Sequence, residues 1–257
     1  MKEKKRKIKL SKTSALHYAK LVGRSLIFLV AAAAYIYNLI QGNLTEEQLF
    51  AHIPVDPLLM KFIWIIFMVE MLLRFFPASI ESMGCQKVFK KNYRPAGKTE
   101  LPVKLDTWKG TFISAAAWFA LNGLIGILFF AGWIDEGILL LIALAYSVCD
   151  MICILFFCPF QTWFMKNRCC TTCRIYNWDF AMMFTPFVFI PDIYTWSLLG
   201  TSLLLLLVWE ITVRRHPERF TEEANESLKC ANCTEKLCHH KTQLRSLIRK
   251  NKDRFFR

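Results

Sequence analysis

GILLLIALAYSVCDMICILFF, residues 137–157, decides the fold. It carries no Lys or Arg and a single carboxylate, Asp150, over a length that crosses the hydrocarbon core of a bilayer as a helix. Five further apolar segments flank it. Residues 25–40 (SLIFLVAAAAYIYNLI), 58–76 and 112–133 precede it, and 180–196 and 197–213 follow. The expected fold is an all-α, polytopic membrane helical bundle of six transmembrane helices. A composition that is 54% hydrophobic, with mean hydropathy +0.31, is richer in apolar residues than a soluble domain needs. The fifth segment is short, and Pro186 and Pro191 interrupt its hydrogen-bond ladder, which leaves a kinked crossing or a re-entrant half-helix.

Charge chooses between these. All but two of the 33 Lys and Arg residues fall in segments 1–24, 77–111, 158–179 and 214–257; Lys61 and Arg74 lie inside the second span. Six crossings put those four segments on one side of the membrane, and the positive-inside rule makes that side the cytoplasm. A re-entrant fifth segment would instead place the basic end of the chain outside. The expected protein is a multi-pass component of the cell membrane with both termini cytoplasmic. Its basic segment 1–24 is expected on anionic inner-leaflet lipid, ahead of an uncleaved first span, because the apolar run continues through Ile40. The tail 214–257 is polar and basic, with Leu244, Leu247 and Ile248 on one face of an amphipathic surface helix. The net charge of +13 would suit a nucleic-acid-binding protein, but its basic segments are separated by long apolar runs, so no nucleic acid is expected as a partner. Phosphate-binding glycine loops, HExxH and GxSxG are all absent from the sequence, so no familiar hydrolytic or nucleotide-driven chemistry is indicated.

The cysteines carry the chemistry. On the six-span topology all ten lie on the inner side or in the inner half of a span, facing a reducing compartment where clustered thiols point to metal or redox work rather than structural disulfides. FCPFQTWFMKNRCCTTCRIYNWDF, residues 157–180, holds Cys158, Cys169, Cys170 and Cys173; KCANCTEKLCHH, in the tail, holds Cys230, Cys233 and Cys238 with His239 and His240. Three groupings are open, and one of them is a site closed by the tail alone from Cys230, Cys233, Cys238 and either His239 or His240. Cys170–Cys173 and Cys230–Cys233 are CxxC pairs, and with Cys238 and His239 they offer a zinc clip that joins the inner loop to the tail. Alternatively, Cys158, Cys169, Cys170 and Cys173 supply the four thiolates that an iron–sulfur cluster needs. Cys158-Pro159 is similar to the Cys-Pro that closes some cluster motifs, although the spacing C-x10-C-C-x2-C departs from the usual ferredoxin runs. The leading function is a membrane redox component that passes electrons to a redox partner protein or a quinone. The alternative is a transporter or membrane scaffold with structural zinc. Cys149 and Cys153, one turn apart, are expected to serve as small packing residues.

Inside the membrane, Glu70 and Arg74 stand four residues apart and are expected to neutralise one another. Asp150 has no cation nearby in sequence, which makes it the candidate proton carrier. Trp108, Trp163 and Trp178 are expected at the inner interface, and Trp133 and Trp196 at the outer one.

Overall fold

A computed structural model describes residues 12–41, 57–77, 86–96, 108–166 and 173–232. Its long elements are α1 (Lys12–Gln41), α2 (Pro57–Leu73), α3 (Trp108–Phe130), α4 (Glu136–Leu155), a short α5 (Asp179–Met183) and α6 (Ile193–Arg215). Among the described residues there is no strand, only a single bridge between Pro95 and Asn225. Four helices are long and apolar enough to cross a membrane: Ser14–Tyr37, Trp108–Phe130, Glu136–Leu155 and Ile193–Arg215; Ile63–Leu73 is a shorter apolar helix.

Local chemistry explains where these helices begin and end. The Asp135 carboxylate accepts a hydrogen bond from the Ile138 amide at 2.8 Å, and Asp192 accepts one from Tyr194 at 2.8 Å, so both α4 and α6 start on an N-cap that satisfies an orphan donor. α4 stops just before Cys158-Pro159, because the residue ahead of a proline is biased out of the helical region. Pro159 then leads a single π turn, Phe160–Phe164. Where a span over 180–196 is expected, the chain instead forms α5, a 3-10 turn Thr185–Phe189 led by Pro186, and a break through Pro191 before α6. The boundary between the fifth and sixth segments thus falls at Asp192. The first helix likewise continues N-terminally of residue 25 to Lys12, which carries Lys20 and Arg24 into the bundle.

Packing sets the directions. α1 runs antiparallel to α4: Arg24 meets Asp150 at one end, and Tyr35 donates to Asp135 at 2.8 Å at the other. Trp64 of α2 donates to Ser197 at the start of α6 at 2.9 Å, while Glu70, further along α2, reaches Arg24. One end of the bundle therefore gathers the starts of α1 and α3 with the ends of α2, α4 and α6. Asp179 lies at this end, paired with Arg74, while Phe189 packs against Phe129 and Phe130 at the opposite end of α3. The segment between them passes from one end of the bundle to the other. It fits closely against α3: a Cβ on Gly126 would meet the tip of the Phe189 ring at 2.5 Å, so a larger residue there would push that ring aside.

The core runs through Met71, Leu139, Phe180, Met183 and Leu205, each at most 1% exposed. The outward faces are apolar too. Phe112, Phe119, Ile127 and Phe130 of α3 and Leu204 and Leu207 of α6 are exposed, as suits helices solvated by hydrocarbon rather than water. Trp108, Trp163, Trp133 and Trp196 are exposed as expected of a belt. Trp178 differs: its indole donates to Glu210 at 2.8 Å inside the fold.

Candidate functional site

Ionisable side chains concentrate at the end of the bundle where α1 starts. Arg24, 6% exposed, forks across two helices: one nitrogen reaches Glu70 at 2.7 Å, and the other reaches Asp150 at 3.2 Å and the Ser147 carbonyl at 3.1 Å. Lys20 holds the other oxygen of Glu70 at 3.1 Å. Arg74, 4% exposed, pairs with Asp179 at 2.6 Å and lies over the Phe180 ring at 4.5 Å. Arg174 grips Glu210 through both oxygens, at 2.6 and 2.5 Å. Two sequence expectations are corrected here. Asp150 has a cation, Arg24, supplied by a helix far away in sequence. Glu70 and Arg74 are each held by a different partner, because α1 and α5 present complementary charge to those faces of α2. Three arginines, two of them buried, and their half-buried carboxylates so make a layer of ion pairs, satisfied by fork-shaped guanidinium donors.

Beside this layer lies a cavity of about 140 Å³. Four thiols line it: Cys149 and Cys153 from α4, Cys158 from the turn after it, and Cys173 ahead of α5. The carboxylates of Asp150 and Asp179 form part of its wall, and Trp118, Tyr146, Phe160 and Tyr176 supply aromatic faces. Local structure explains why the thiols converge. Cys149 and Cys153 sit four apart on one helical face, and the turn that ends α4 brings the Cys158 thiol within hydrogen-bonding reach of Cys153. The Gln161 amide donates to the Cys158 sulfur at 3.4 Å. Buried Ile175 and the Arg174–Glu210 pair hold the chain at Cys173 against α6. None of the four cysteines forms a disulfide with another described residue.

Cys158 and Cys173, expected in one ligand set, thus border one space. Cys149 and Cys153, expected only to pack, border it as well. Among the described residues no three His, Cys, Asp or Glu side chains are arranged to hold a metal ion. Cys169, Cys170, Cys233, Cys238, His239 and the expected amphipathic helix around Leu247 lie outside the described residues, as does the side chain of Cys230. The backbone of Cys230 opens a 3-10 turn, Cys230–Asn232. The described part of the tail docks on residues 86–96: Glu226 donates to the Arg94 carbonyl at 2.8 Å and Ala96 to the Ala224 carbonyl at 3.0 Å. Asn225, fully buried, donates to Lys87 and Arg219 carbonyls, while Phe220 packs on Trp209 of α6. The tail therefore returns to the thiol end of the bundle.

Comparison with protein-family models, with curated proteins and with solved structures returns no match for this chain.

Proposed function

We propose that the chain is a six-crossing protein of the cell membrane with both termini cytoplasmic, and that it works as a redox component through a thiolate-bound iron–sulfur centre at the thiol end. The observation that carries this reading is the convergence of Cys158 and Cys173 on one cavity from opposite sides of the 158–173 loop. Cys169 and Cys170 precede Cys173 by four and three residues in the chain, so the loop holds the four thiolates a cluster requires. When bound, such a centre supplies one-electron transfer, and electrons leave it for a redox partner protein or a quinone. The protein's own part is to hold soft sulfur donors at the edge of an apolar space. Asp150, on the wall of the same cavity and oriented by Arg24, is the carboxylate proposed to carry the coupled proton.

The end-to-end course of residues 179–189 supports a fifth crossing, and the confinement of basic residues to four segments supports the inward orientation of the thiol end. Both are tested in one experiment. A membrane-impermeant thiol reagent added to intact cells is expected to leave Cys85 and Cys230 unlabelled until the membrane is permeabilised; labelling before permeabilisation inverts the orientation.

A second reading is favoured by the docked tail. Phe220 and Leu228 anchor the tail at this end, so a structural zinc held by Cys170, Cys173, Cys230, Cys233, Cys238 or His239 would join loop to tail without redox chemistry. Elemental analysis of protein purified without oxygen separates the two. Iron with acid-labile sulfide is the expected result; about one zinc per chain without sulfide supports the clip. Protein with neither metal, prepared with its thiols protected, contradicts both.

A further inference from the structure

Resting on the redox reading of the same site, we propose that the thiol-lined cavity binds the ring of a membrane quinone. Four observations lead there. The first is depth: Trp118 lies about 15 Å along the axis of α3 from Trp108, and Cys149 about 9 Å from the end of α4, so the cavity reaches from the thiol end into the thickness of the bundle. The second is access. α3 packs chiefly on the Phe160–Phe164 turn and on Thr185–Phe189, and Cys149 on the cavity wall is exposed, so the space opens sideways between α3 and α4 at membrane depth. A lipid-dissolved ligand enters by that route without crossing water.

The third observation is size. The 140 Å³ of the cavity matches the volume of about 150 Å³ in which an apolar protein cavity holds one benzene ring. A ring therefore fits, with its substituents lying in the lateral opening. The fourth is chemistry. Trp118 and Phe160 offer ring faces for stacking, while Tyr146, Tyr176 and Gln161 carry the hydroxyl and amide donors that a pair of quinone oxygens accepts from. An acyl chain would gain nothing from those donors or from the two carboxylates beside them.

The experiment uses the full chain in lipid nanodiscs with tetramethyl-1,4-benzoquinone, which has no free ring carbon for thiol addition. Saturable quenching of tryptophan fluorescence is expected. Trp118→Phe removes the saturable component, and Cys149→Phe, which fills the lateral opening, weakens binding at least tenfold. Quenching that only rises linearly with partitioning, or that both variants leave unchanged, overturns the proposal. Because binding needs no metal, the two readings fail separately. Saturable binding to protein that contains no iron keeps the quinone site and removes the iron centre; iron without saturable binding does the reverse.

Discussion

Arg24→Leu is expected to destabilise the detergent-solubilised protein by about 3–5 kcal/mol, the cost of stranding a buried charge whose partner has been removed. Arg24 reaches α2 and α4 together, through Glu70, Asp150 and the Ser147 carbonyl. Without it Asp150 loses its hydrogen-bonded cation, while Glu70 keeps Lys20. A thermal unfolding curve in detergent should show the midpoint fall sharply. Arg24→Lys should recover only part of the loss, because a single ammonium cannot fork across two carboxylates as the guanidinium does. The variant Arg24→Leu/Glu70→Gln/Asp150→Asn, with no charge left to strand, should regain most of it. If the triple variant is no more stable than Arg24→Leu alone, the ion-pair layer is not what binds α1 to the bundle.

The second large effect concerns the thiols. Cys158→Ser and Cys173→Ser are each expected to abolish retained iron, because serine is a poor ligand for an iron–sulfur centre and two walls of the site are lost to different parts of the loop. Cys149→Ser, further up α4 at the exposed rim, is expected to retain it. Cys230→Ser separates the groupings: iron is kept if the loop alone holds the centre, whereas a clip between loop and tail loses its metal. Iron retained in both Cys158→Ser and Cys173→Ser would remove the loop from the site.

The apolar helices were legible in the sequence, and several of their ends and the side-chain partners were not. Uninterrupted apolar runs mark α3, α4 and α6, and Pro186 and Pro191 mark the break in the fifth segment, whereas the start of α1 at Lys12 and of α6 after Asp192 were missed. The runs and the prolines are local signals, so a one-dimensional reading captures them. Hydropathy assigns Lys20 and Arg24 to a polar leader, since a charged residue lowers the score of any window that contains it. Only the facing carboxylates of α2 and α4 make room for these cations in the bundle. The pairing of Arg74 with Asp179 was equally hidden, because it depends on how α2 and α5 are rotated about their axes rather than on spacing along either. The nearest sequence neighbour, Glu70, is the misleading choice. For the same reason Cys149 and Cys153 look like packing residues: periodicity reports a shared face but not whether that face meets a neighbour or a void. The clustering of cysteines around 158–173 points to the region where Cys158 and Cys173 border the cavity, and the charges beside it were not legible.

The most direct test of the redox claim is the visible absorption and electron paramagnetic resonance spectrum of the protein, purified without oxygen and cycled between dithionite and a mild oxidant. The account predicts a brown protein whose absorbance bleaches and returns reversibly, with a paramagnetic signal in one state that Cys173→Ser lacks. A colourless protein with no signal in either state, carrying about one zinc per chain or no metal at all, would contradict it.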